Sequence, residues 1–145
     1  MLKDWNKVEQ PTAEEVDKRL ANAKNSLLQQ QIAMKEKKLP VIVLLEGWGA
    51  AGKGSVLGKL IKNIDPRFFK VAVMDEPTEE EKRKPFLYRH FVKIPEAGKF
   101  VFMDSGWMSE VTSQKLSGEL SEEEYKKRIE SIKRFERQLT DNGYL

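Results

Sequence analysis

The sequence predicts an α/β fold in which a parallel sheet is flanked by helices. Three observations carry that prediction. Helix-like and strand-like segments alternate along the chain, the order that parallel strands with crossover helices require. Val41–Leu45 is a short apolar run without alternation, the pattern of a strand buried on both faces. The segment EGWGAAGKGS then places four glycines between that strand and a helical segment.

Taken in order, residues 1–11 are polar and read as an arm outside the domain, which runs over 12–145. Thr12 with Glu15 three residues on has the spacing of a capping box. It predicts a helix over 12–38, with Val16, Leu20, Ala23, Leu27 and Met34 as its apolar stripe and Pro40 as its stop. The strand Val41–Leu45 and the Gly-rich loop follow. The next helix covers residues 55–63, with Val56, Leu57, Leu60 and Ile61 facing inward. Asp65-Pro66 is a turn, and residues 69–74 form a second strand.

Thr78 and Glu81 repeat the capping-box spacing, but Pro85 follows closely. A short helical turn is expected there, then a helix from near Pro85 that ends before Pro95, since Pro is well tolerated in a first turn. Residues 95–98 turn the chain into a third strand, 99–103, ending at Asp104. Ser121 and Glu124 form a third capping-box pattern, opening a helix in which Tyr125, Ile129, Ile132, Phe135 and Leu139 recur at helical spacing. Asn142-Gly143 closes it. Tyr144 and Leu145 fall where a fourth strand would begin. The expected domain is therefore partial, truncated after the third predicted strand, and its open edge calls for a further domain or an oligomeric partner.

Composition narrows the function. The chain has 145 residues, enough for one domain. Charged residues are 34% of it, yet the net charge is only +3 with both signs interspersed, which gives no footprint for nucleic acid. Cysteine is absent and His90 is the lone histidine, so disulfides, thiolate zinc sites, thiol nucleophiles and multi-histidine sites are excluded. No apolar stretch approaches the roughly 20 residues of a membrane span, and the start lacks a signal-peptide core. A cytoplasmic protein is the default expectation.

The loop carries the chemistry. Gly47-x-x-x-x-Gly52-Lys53 matches the core of a phosphate-binding loop, with an apolar strand before it and a helix after it. Glycines let the backbone approach an anion, successive N–H groups form a nest for phosphate oxygens, and the helix N-terminus adds its dipole. Gly47, Gly49, Ala50, Ala51, Gly52, Lys53, Gly54 and Ser55 are the candidate phosphate contacts, with Lys53 as the mobile charge. The alternative is a plain Gly-rich turn bearing a surface lysine.

Gly54 stands where such loops usually carry the Ser or Thr hydroxyl that binds Mg²⁺. Ser55 comes one residue late, about 100° further round the helix. Any Mg²⁺ must then lean on carboxylates. Asp104, at the end of an apolar strand, is the candidate, because open α/β sheets bind ligands at their carboxyl edge; a turn or helix-capping aspartate is the alternative. Glu46 flanks the loop and could orient it. Asp75 reads as turn chemistry.

These residues resemble the polyphosphate kinase 2 family. LLEGWGAAGKGS is similar to its Gly-x-Asp-x-Ala-Gly-Lys-Gly loop, which also has Gly after the lysine. PTEEEKRKPFLYRHFVKIPEAG resembles its lid-side segment, FVFMDSGWM its second acidic motif, and FERQLTDNGYL the segment leading to its next strand. The resemblance implies a thymidylate-kinase-like, P-loop kinase-like fold. It also implies phosphoryl transfer between inorganic polyphosphate and a nucleotide, AMP or ADP, with Mg²⁺. By position, the catalytic residues implied are Lys53 on phosphate, Asp104 on Mg²⁺ and Arg89 on donor or acceptor phosphates. From the residues alone, Arg89 reads equally as part of a surface charge run.

Three positions depart from the family pattern. The loop aspartate falls at Gly49, and the arginines around the second motif fall at Ser105 and Glu110. Trp107 is retained, though a core role explains it as well. The pattern resembles the N-terminal half of two-domain polyphosphate:AMP phosphotransferases, a half with little activity alone. The rival readings are a non-catalytic phosphate-binding or structural domain supporting a catalytic partner half, and an ATP-dependent nucleoside or nucleotide kinase.

Overall fold

The structure is a computed structural model and describes residues 11–62 and 64–145. The expected polar arm therefore lies almost wholly outside the described residues. The elements run α1 (Ala13–Glu36), β1 (Val41–Leu45), α2 (Lys53–Ile61), β2 (Phe69–Val73), α3 (Tyr88–Phe91), β3 (Phe100–Asp104), α4 (Trp107–Leu116) and α5 (Glu122–Asp141). Short 3₁₀ turns, Pro66–Phe68 and Glu81–Arg83, precede β2 and α3.

The three strands form one parallel sheet in the order β1-β3-β2. Val41 pairs with Phe100 through to Leu45 with Asp104, and Phe69 with Phe100 through to Val73 with Asp104. All three strands therefore end level, at Leu45, Asp104 and Val73. The last residue joins the sheet on the free side of β1. Ile42 N–H donates to the Leu145 carbonyl at 2.8 Å, and Leu145 N–H donates to that of Pro40 at 3.0 Å. That is the bonding pattern of a parallel ladder.

Alternation along β3 sends its side chains into two cores. Val101 and Met103 meet Trp107, Val111, Ile132, Phe135 and Leu139 from α4 and α5. Phe100 and Phe102 meet Val41, Leu57 and Ile64, with Leu27 and Met34 of α1 packed alongside. Helices thus cover both faces, as the element order predicts. β2 is the edge strand, and its Val73 is 54% exposed.

Local signals place most elements. The Thr12/Glu15 and Ser121/Glu124 capping boxes are both formed, and Lys38 leaves α1 in the left-handed region, with φ 54. The Thr78/Glu81 pair is also formed, but it opens only a single 3₁₀ turn.

Three expectations are corrected. Val56 does not face inward; it is exposed, because Leu57, Leu60, Ile61 and Ile64 already complete the i, i+3, i+4, i+7 stripe. Only the C-terminal half of the α1 stripe docks, and Val16 and Leu20 remain exposed. Between the third strand and the last helix lies α4, which the sequence reading leaves out.

Candidate active site

The loop after β1 takes its shape from backbone conformations that few side chains allow. Gly47 has φ 154 and Gly52 φ 86, while Ala50 sits in the left-handed region at φ 62. A β-carbon on Gly47 would lie 3.4 Å from that of Ala51. Gly52 caps α2 without any side-chain hydrogen bond, so no side chain competes for its first N–H groups. Lys53 folds back on the loop, its Nζ donating to the carbonyls of Gly47 at 2.9 Å and Trp48 at 3.2 Å.

Because the strands end level, this loop faces the ends of β3 and β2. Together they enclose an open cleft of about 420 Å³ lined by residues 50–55, Val73, Met74, Asp104 and Ser105. Of the candidate phosphate contacts, Ala50, Ala51, Gly52, Lys53, Gly54 and Ser55 line it, and Gly47 and Gly49 do not. Asp104 lies at the cleft's centre strand, with Oδ1 buried and without a hydrogen-bond partner. Ser105, next to it, is held at φ 66 by its N–H bond to the Leu45 carbonyl at 3.1 Å. Left-handed non-glycine residues cost about 1–3 kcal/mol each, and Ala50 and Ser105 face each other's loops across the cleft.

Glu46 ties the loop to α4. Its carboxylate accepts from the Ser109 hydroxyl, and Gly106 passes directly beneath it: a β-carbon there would sit 2.6 Å from Glu46 Oε1. The sequence suggested that Glu46 orients the loop but offered no sign of these partners.

Arg89 does not line the cleft. It is 5% exposed; its Nη2 donates to the Asp75 carbonyl and its Nη1 lies 3.8 Å from Glu110 Oε2. His90, fully buried, donates from Nε2 to the same Glu110 oxygen at 3.1 Å. The edge of His90 stacks on Trp107, ring centres 5.8 Å apart. Trp107 is 2% exposed and donates to Glu136 Oε1 at 2.9 Å, a core residue with its polar edge satisfied. Glu110 therefore bolts α4 to α3, a role that a carboxylate twenty positions from its histidine does not announce in sequence. Glu81, before α3, is held below the usual carboxylate range first by the Thr78 N–H bond, with Arg89 and Lys93 adding attraction.

No helix among the described residues is long and apolar enough to cross a membrane. The family model for polyphosphate kinase 2 matches residues 10–145. The chain is 34% identical over 107 residues to a polyphosphate:AMP phosphotransferase of Pseudomonas syringae pv. tomato, covering 74% of this chain and 22% of that one. It is 29% identical over 126 residues to ADP-polyphosphate phosphotransferase 3 of Rhizobium meliloti, covering 87% and 44%. The fold superposes on polyphosphate kinase 2 from Arthrobacter aurescens TC1 with a TM-score of 0.88 at 24% identity, covering 93% of this chain and 50% of that one. The chain thus spans half or less of each of these proteins. A phosphate-type loop, a carboxylate at the adjoining strand end and a match from residue 10 to residue 145 agree: the chain belongs to the polyphosphate kinase 2 family.

Proposed function

We propose that this chain is the phosphate-binding part of a phosphotransferase that moves a phosphoryl group between inorganic polyphosphate and a nucleotide, AMP foremost. The observation that carries the reading is the shared cleft: the Gly-rich loop and Lys53 on one side, and an unpartnered buried carboxylate oxygen of Asp104 on the other. The loop's N–H groups and Lys53 would hold a phosphate, fixing its phosphorus for in-line attack by a nucleotide phosphate oxygen. The new P–O bond forms as the bond to the next phosphate of the chain breaks, and the shortened polyphosphate leaves with the electron pair.

Asp104 is the residue that would hold Mg²⁺. The described residues contain no cluster of three or more acidic or histidine ligands, so phosphate oxygens and water would complete the shell, as is usual for this ion. Bound there, Mg²⁺ would neutralise charge on the phosphates.

Gly49, Ser105 and Glu110 favour a half with little turnover of its own, completed by a second homologous domain or subunit. Neither Gly49 nor Ser105 bears a charge, and Glu110 is spent on Arg89 and His90. The test is calorimetry with polyphosphate beside an assay of AMP and polyphosphate for ADP. Binding with negligible ADP formation is expected. Steady turnover by the pure chain would overturn the low-activity reading, and absence of binding would leave the rival structural role.

A further inference from the structure

Two cations reach from α3 and its C-terminal turn to the end of β2. Arg89 takes the Asp75 carbonyl. Lys93, four residues on, places Nζ 3.4 Å from the Val73 carbonyl and 3.4 Å from the Met74 sulfur. They differ in what balances their charge. Arg89 is buried against Glu110. Lys93 takes part in none of the ion pairs found among the described residues.

The contacts of Lys93 are one long hydrogen bond and one thioether, a weak acceptor. Glu81 attracts it only through space. A half-buried ammonium with three donors is thus left under-used. Its position matters because Val73 and Met74, the residues it touches, line the phosphate cleft. β3 separates the ends of β1 and β2, so these ends lie two strand spacings apart, about 10 Å. Lys53 stands on the β1 side, Lys93 on the β2 side, and Asp104 between them.

We propose that Lys93 is a second phosphate anchor of this cleft, holding a phosphate further along a condensed chain whose first group sits in the loop. The inference rests on the reading of the loop as a phosphate site. Anchors that belong to strand ends about 10 Å apart suit successive groups of a condensed chain, so Lys93 favours tripolyphosphate over orthophosphate.

The test is calorimetry of the whole chain with orthophosphate and with tripolyphosphate. Losing one charge-assisted bond is worth about tenfold in affinity. Lys93→Met, which keeps an apolar stem against Met74, is expected to weaken tripolyphosphate by that factor and to leave orthophosphate within about twofold, and Lys93→Arg to retain most of the affinity. Lys53→Ala weakens both ligands. Tripolyphosphate binding by the wild type that is unchanged in Lys93→Met, or an equal loss for both ligands, overturns the anchor while leaving the loop reading intact. Failure of the wild type to bind tripolyphosphate overturns both. Should Lys93→Met not melt cooperatively, amine labelling of the wild type decides. Tripolyphosphate, but not orthophosphate, is expected to protect Lys93, and equal labelling under both refutes the anchor.

Discussion

Glu110 offers the sharpest test of the packing beside the cleft, because one carboxylate serves two buried partners. Its side chain is 16% exposed, while those of Arg89 and His90 are 6% and 0% exposed. Glu110→Ala leaves a guanidinium without its nearest anion and removes the acceptor for His90 Nε2. Breaking a buried pair from one side costs about 3–5 kcal/mol, and the residual exposure of Glu110 places this case near the lower figure. Glu110→Gln keeps an oxygen for His90 and loses only the charge, a cost of about 1–2 kcal/mol. Glu110→Arg sets a second guanidinium against Arg89 and is expected to be the worst of the three. For a chain of this size each kcal/mol moves the melting temperature by about 2–4 °C, so the alanine variant should melt about 6–12 °C lower. Urea unfolding read by circular dichroism, with Trp107 fluorescence reporting on the His90 contact, gives the comparison. An alanine variant within about 0.5 kcal/mol of wild type, or an arginine variant as stable as wild type, would refute the assignment of Glu110 as a structural tie.

Other outcomes follow from the same coordinates. Gly106→Ala brings a β-carbon to 2.6 Å from Glu46 Oε1 and 3.1 Å from Leu44 Cδ2; overpacking of this kind costs about 1–3 kcal/mol, measurable by denaturant titration, and phosphate binding should fall with it. Asp104→Asn removes the charge of a carboxylate whose Oδ1 is buried without a partner, so it should leave stability unchanged or raised while abolishing any Mg²⁺ enhancement of tripolyphosphate binding. Asp65 is held down to about 2 from 3.8, chiefly by its side-chain bond from Arg67. Its stabilising contribution is present above the unfolded value and is lost as pH falls from about 4 to about 2. A carboxyl ¹³C titration should show that midpoint, and Arg67→Gln should return it toward the ordinary value.

Much of the fold was legible because its signals are local. The capping boxes at Thr12 and Ser121 need only residues three apart, and both formed as spaced. The strand Val41–Leu45 declared its two-sided burial by lacking polar residues. What escaped depended on partners distant in sequence. α4 follows Gly106, which caps without a side-chain bond, and a β-carbon on Gly106 would crowd the Glu46 carboxylate. Nothing near residue 106 signals a residue sixty positions earlier. The α1 stripe runs longer than the surface available to cover it, so Val16 and Leu20 share the pattern of Leu27 and Met34 without their burial. Arg89 reads in sequence as part of a charge run; only the packing shows that Glu110 balances it and that Lys93, four residues on, has no ion pair among those of the described residues.

Gly49, Ser105 and Glu110 are not equivalent in this structure. A β-carbon at Gly49 would meet nothing within 4 Å, and Gly49 has no positive φ. Glycine there answers no steric demand, and a carboxylate could be accommodated. Ser105 sits at φ 66, a left-handed conformation that disfavours β-branched side chains most, and its hydroxyl brings no charge. Glu110 is different in kind, because the packing of α3 against α4 relies on it. Neither Gly49 nor Ser105 brings a charged side chain to this end of the sheet. Glu110 belongs to the scaffold, and it holds the guanidinium of Arg89 there. Placing an arginine at residue 110 would therefore require a new partner for His90 and Arg89, whereas a β-carbon at residue 49 would meet none of its neighbours. Lys53 and Asp104 line the cleft and Lys93 reaches its edge at Val73 and Met74, and the level register of the sheet brings the three to adjacent strand ends.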